Sequence, residues 1–162
     1  MIQDMNHESF TYFTLPLIKP IYLSEDSVKR NGVKINLTEI NWKKVTLLVA
    51  EDEDDNFFLI EEILEPTKIK LVRAKNGKEA IDILKKQPEI RLVLMDIKMP
   101  VMNGYEATMH IKDFWPEVKV IAQTAFALSD DQSRGYNAGC DSFIPKPIKG
   151  NELIEEIARY IS

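Results

Sequence analysis

The stretch Arg91-Leu92-Val93-Leu94-Met95-Asp96-Ile97-Lys98-Met99-Pro100-Val101-Met102-Asn103-Gly104-Tyr105-Glu106 decides the fold. Its apolar run is too short for a globular helix and reads as a buried strand. The run stops on a carboxylate, Asp96, and a loop punctuated by Pro100 and Gly104 follows. An acid is thereby placed at the carboxyl end of a strand. In an open parallel sheet, ligands bind just outside those ends, so Asp96 stands where chemistry is expected. The competing reading is an Asp that only caps the next turn.

The same grammar repeats on either side. Residues 45–50 form a continuous apolar strand of the kind buried on both faces of a parallel sheet, and run directly into Glu51-Asp52-Glu53-Asp54-Asp55-Asn56. A helix then carries Phe57, Ile60, Ile63 and Leu64 on one face and ends before Pro66. Residues 69–74 are a second strand. Asn76-Gly77 opens a helix with Ala80, Ile81 and Leu84 inward, ending near Pro88. After the third strand, a helix over 105–114 is stopped by Pro116. Residues 118–123 make a fourth strand, with Thr124 at its end. A helix over 129–138 is closed by Gly139, a short fifth strand over 142–144 runs into Pro145-Lys146-Pro147, and an amphipathic helix over 152–160 finishes the pattern. Five alternations with short connections predict a doubly wound α/β domain, with right-handed crossovers and a parallel five-stranded sheet. All strand ends then share one rim, which gathers Glu51, Asp52, Asp96, Thr124 and Lys146.

The remaining sequence bounds the function. The chain has 162 residues, 44% hydrophobic and 29% charged, enough for one well-buried domain plus an appendage. Its net charge of -5 argues against a nucleic-acid surface, which needs clustered Lys and Arg. No apolar run approaches a membrane span and no leader pattern is visible, so a cytoplasmic location without membrane contact is expected. The single Cys140 excludes an internal disulfide and reads as a small buried residue; His110 reads as a helix-surface residue. Residues 1–43 are irregular and read as an N-terminal extension or linker, with the α/β domain over 44–162. Within the extension, residues 9–15 resemble a strand stopped by Pro16, and Asn31-Gly32 offers a hairpin turn between residues 21–23 and 33–35. An exposed strand there would give two chains an edge to pair through, allowing a homodimer.

The rim reads as phosphoryl chemistry. Carboxylates converging from adjacent strands repel by roughly 4 kcal/mol per pair at about 4 Å and an effective dielectric near 20. A hard divalent cation such as Mg²⁺ offsets that charge through oxygen ligands. A lysine and a hydroxyl across the same rim can hold the equatorial oxygens of a transferring phosphoryl group. Asp96 is then the nucleophile, since a carboxylate can form an aspartyl phosphate. Glu53, Asp54 and Asp55 read instead as an acidic helix start favoured by the macrodipole.

Glu51-Asp52, Asp96 in its Met-Asp-Ile-Lys-Met-Pro run, Thr124-Ala125 and Lys146-Pro147 together resemble the receiver domain of two-component response regulators. The resemblance implies a flavodoxin-like (βα)5 fold with strand order 2-1-3-4-5, and transfer of a phosphoryl group from a phosphohistidine to Asp96. The phosphohistidine would sit on a histidine kinase or a histidine-containing phosphotransfer protein. It implies Mg²⁺ bound by Asp52, Asp96 and the Lys98 carbonyl, with Glu51 acting through ordered water. Thr124 and Lys146 would grip the phosphoryl oxygens, Phe143 would be an aromatic switch, and Lys146-Pro147 would be a cis bond. The output would be a shape change on the last helices and strand. Lys98 and Phe126 stand at rim-adjacent positions that vary among receivers. Residues 9–17 and 121–127 are similar to segments of hybrid sensor kinases, which implies the C-terminal receiver of such a kinase. Two alternatives share the pattern: a receiver-like interaction module without phosphotransfer, and a strand-end-Asp phosphohydrolase.

Overall fold

The computed structural model describes residues 28–30, 33–35, 37, 39–125 and 129–161. Two short strands come first, β1 (Val28–Arg30) and β2 (Val33–Ile35), paired antiparallel with Arg30 opposite Val33. The Asn31-Gly32 pair therefore separates two strands, as its chemistry predicts. The partner of residues 33–35 is nevertheless 28–30 and not 21–23. A two-residue connection joins the segments that immediately flank it. Residues 21–23 and the strand expected over 9–15 lie outside the described residues.

The α/β domain comprises β3 (Thr46–Ala50), α1 (Asp54–Leu64), β4 (Lys70–Ala74), α2 (Gly77–Lys86), β5 (Leu92–Asp96), α3 (Gly104–Phe114), β6 (Lys119–Thr124), α4 (Ser129–Ala138), β7 (Ser142–Pro145) and α5 (Gly150–Ile161). Five parallel strands are ordered β4-β3-β5-β6-β7, which in domain numbering is 2-1-3-4-5. The central strand β5 is buried along its whole length, as an unbroken apolar run requires. One face of the sheet packs Leu48, Val93 and Val120 against Ala80, Leu84, Ala107 and Ile111 of α2 and α3. The other packs Leu47, Leu94 and Ile121 against Ile60 and Leu64 of α1 and Leu153 and Ile157 of α5.

Side-chain caps fix the starts of α2 and α3. Asn76 accepts from the Glu79 amide at 2.9 Å, and the Glu79 carboxylate accepts from the Lys75 amide at 2.8 Å. Asn103 accepts from the Glu106 amide at 3.0 Å and fixes the start of α3. At the opposite end of β6 from the rim, Asp141 takes Lys112 at 2.6 Å, Lys119 at 2.9 Å and the Val120 amide at 2.9 Å. Burial pushes the Asp141 carboxyl up, but the hydrogen bonds from both lysines outweigh it, and the net shift is downward.

Trp42, ahead of β3, is 5% exposed and joins the α1/α5 side of the core, its indole N–H donating to the Leu37 carbonyl at 3.2 Å. Part of the predicted linker thus packs onto the domain. Cys140 is buried, and that burial pushes its thiol up; His110 is exposed on α3, both as expected.

Candidate active site

Parallel pairing brings the predicted rim residues together. Glu51 and Asp52 follow β3, Asp96 ends β5, Thr124 ends β6, and Lys146 follows β7. Carboxylate oxygens of Glu51, Asp52 and Asp96 lie within 4.8 Å of one another. The Lys146 ammonium donates to Asp96 Oδ2 at 2.8 Å and to Glu51 Oε2 at 3.0 Å. Its own backbone N–H donates to the Thr124 carbonyl at 2.8 Å, which ties the lysine to the end of β6. The peptide bond that follows, Lys146-Pro147, is cis.

The second oxygen of Asp96 accepts the Lys98 amide at 3.2 Å, while the Lys98 side chain is exposed. Glu51 is fully buried, and its Oε1 accepts from Asn56 Nδ2 at 3.1 Å and from the Glu53 amide at 3.3 Å. Thr124 is buried at 6% exposure and lines a cleft shared with Asp96, Lys98, Lys146, Asn56 and Gln123. Burial draws the Lys146 pKa down, but hydrogen bonds and charge from Asp96 and Glu51 overcome it, and the net shift is upward. The ammonium is thereby held in its charged form between two acids. Three carboxylates against one ammonium leave the cluster net negative, and an all-oxygen donor set suits a small hard cation such as Mg²⁺.

The loop after Asp96 is tightly built. A Cβ on Gly104 would stand 2.2 Å from the Asp96 carbonyl oxygen, so only glycine lets α3 start against the end of β5. Met102 N–H closes back on the Pro100 carbonyl at 2.7 Å across Val101, which is exposed with φ 67°. Left-handed backbone at a β-branched residue is strained. Phe143 is half-buried with its ring edge-on to Tyr136 at 4.8 Å between centroids, and a Cβ on Gly135 would lie 2.4 Å from it. The ring is packed against α4 and stands on the side of the sheet that carries α2 and α3.

Glu53, Asp54 and Asp55 are exposed at the start of α1, as their helix-start reading requires. Asp54 pairs with Arg73 at 2.6 Å and Lys75 at 3.1 Å, and the Arg73 bond leads in holding its carboxyl below the usual range. Phe126 lies outside the described residues. Asn56, Gln123 and Arg134 are among the cleft residues to which the sequence reading assigns no role. Asn56 was signalled only by lying one helical turn beyond the acidic pair. Gln123 was signalled as the polar residue interrupting an apolar strand.

A family model described as the response regulator receiver domain matches residues 47–158. The polar-differentiation response regulator DivK of Brucella anthropi is 35% identical over 119 residues, spanning 72% of this chain and 95% of that protein. The receiver domain of the sensor histidine kinase PA1611 from Pseudomonas aeruginosa, solved with a magnesium ion coordinated in its active-site cleft, is 31% identical. It superposes with a TM-score of 0.67, over 72% of this chain and 97% of that one. The receiver domain of Saccharomyces cerevisiae Ssk1, crystallised with the histidine phosphotransfer protein Ypd1, is 29% identical with a TM-score of 0.69, over 72% and 88%.

Proposed function

The chain belongs to the response regulator receiver domain family of two-component signalling, and from that premise we propose that Asp96 is its phosphoacceptor. The observation that carries the reading is the single cluster in which Asp96 lies within 4.8 Å of two further carboxylates and accepts a hydrogen bond from Lys146. In the proposed step, a carboxylate oxygen of Asp96 bonds to phosphorus as the phosphorus–nitrogen bond of a phosphohistidine breaks. The departing imidazole takes up a proton. The Lys146 ammonium and Thr124 hydroxyl stabilise charge on the transferring oxygens. Lys146 is already hydrogen-bonded to the nucleophile, so this stabilisation is preorganised.

Asp52, Asp96 and the Lys98 carbonyl are the proposed Mg²⁺ ligands, with Glu51 contributing through water. A bound Mg²⁺ would neutralise the carboxylates and the incoming phosphoryl oxygens. Glu51 has a second task in this reading, since its direct bond to Lys146 holds the ammonium over Asp96. The Ypd1–Ssk1 complex supports a histidine phosphotransfer protein or histidine kinase as donor. Likeness to the PA1611 receiver supports a place behind a sensor kinase, with residues 1–43 as the joining segment and 44–162 as the receiver. No helix among the described residues is long and apolar enough to cross a membrane, which fits the cytoplasmic location proposed for this domain.

Once phosphorylated, the site gains charge and acceptor oxygens that draw the Thr124 hydroxyl inward. Phe143 then leaves its seat on α4, changing the surface around the last strand and helix. Incubation with a small phosphodonor and Mg²⁺ tests the phosphoacceptor role by intact mass. The wild type is expected to gain one acid-stable, base-labile phosphoryl group, and Asp96→Asn none. An unmodified wild type would favour a binding module that no longer accepts phosphate.

A further inference from the structure

Among the described residues, Gln123 is fully buried, and neither its Nε2 nor its Oε1 has a hydrogen-bond partner. Burying an amide in that state is costly. Parallel pairing sets Gln123 beside Asp96 of β5 and Ile144 of β7. Its strand neighbours two positions away, Ile121 and Leu94 across the pair, are both fully buried. A leucine would complete that packing without an unmet polar group. Gln123 is also among the residues around the cleft that holds Asp96, Thr124 and Lys146.

We propose that Gln123 is a phosphoryl-binding residue, its amide N–H groups donating to the phosphoryl oxygens once Asp96 carries them. The inference rests on the phosphoacceptor reading of Asp96. An interaction made only after phosphorylation shifts the equilibrium toward the modified form, because its free energy differs between the two states. In the unmodified protein the same amide is a burden. The buried polar group thereby biases the switch in one direction.

The test uses beryllofluoride with Mg²⁺ as a stable stand-in for the phosphoryl group, with affinity read by titration calorimetry. Gln123→Met keeps the length of the side chain and removes the amide; Gln123→Leu does the same with a different shape. Both variants are expected to bind beryllofluoride roughly tenfold or more weakly, as loss of a hydrogen bond to a charged acceptor predicts. Affinity for Mg²⁺ alone should stay within about twofold, and the thermal midpoint of the unmodified protein should be unchanged or raised. Affinity within about threefold of wild type in the folded variants overturns the proposal, and so does a loss that appears only together with a lower midpoint in both. A wild type that binds no beryllofluoride with Mg²⁺ present would instead overturn the reading of the site itself.

Discussion

Replacing Asp52 with Asn is predicted to make the protein more stable when no divalent cation is present. Asp52 shares a 4.8 Å cluster with Glu51 and Asp96. At that separation each like-charged pair opposes folding by about 3.5 kcal/mol at an effective dielectric near 20. Lys146 hydrogen-bonds to the other two acids, so its compensation goes first to them. Asp52 is half-buried, and water screens its share, which brings the expected gain down to about 1–2 kcal/mol. For a domain of this size that raises the thermal midpoint by about 2–8 °C in chelator. Magnesium should then reverse the ranking. It stabilises the wild type by binding only the folded state, and Asp52→Asn should lose most of that increment. Calorimetric unfolding of both proteins in chelator and in millimolar Mg²⁺ measures the four midpoints. A variant less stable than wild type in chelator, or stabilised by Mg²⁺ to the same extent, would refute the charge argument.

Trp42→Ala should cost about 3 kcal/mol, because a fully packed indole leaves a cavity on the α1/α5 side of the core; urea unfolding reads it as a lowered midpoint at unchanged slope, and a loss under about 1 kcal/mol would contradict the packing. Val101→Gly should leave stability unchanged or raised, since glycine adopts a positive φ without a Cβ clash; a urea midpoint lowered by more than about 1 kcal/mol would contradict the strain at this turn. Asp141 has a folded pKa below its unfolded one, so its contribution is full above the ordinary carboxylate range and is lost as pH falls through the depressed folded value. Asp141→Asn should therefore be less stable than wild type at neutral pH, with the gap closing on acidification; a gap independent of pH would count against the network with Lys112 and Lys119.

That Glu51, Asp52, Asp96, Thr124 and Lys146 share one rim was legible, because parallel alternation leaves no freedom about where strand ends meet. Once residues 45–50, the apolar run ending on Asp96, and residues 118–123 read as buried strands, the rim follows from topology alone. Trp42 was not legible. It stands in a segment without periodicity, and only tertiary packing shows that it is core. The hairpin was half legible: residues 33–35 do pair antiparallel with an upstream strand, but the partner is 28–30 and not 21–23, because a short connection pairs the segments that flank it. Asn56 and Gln123 carry no motif of their own. A polar residue on an acidic helix start, or inside an apolar strand, shows its role only when neighbouring chain segments are placed beside it. Phe143 was singled out only through the family resemblance, and its seat against Gly135 required the packing of β7 against α4.

The measurement closest to the central claim is the position of the modified carboxyl. Protein treated with a small phosphodonor and Mg²⁺ is reduced with borohydride, which converts an aspartyl phosphate to homoserine, and the digest is sequenced by mass spectrometry. Homoserine at position 96, absent when Mg²⁺ is withheld, is the predicted result. Homoserine at another acid of the cluster, or at none, would contradict the assignment.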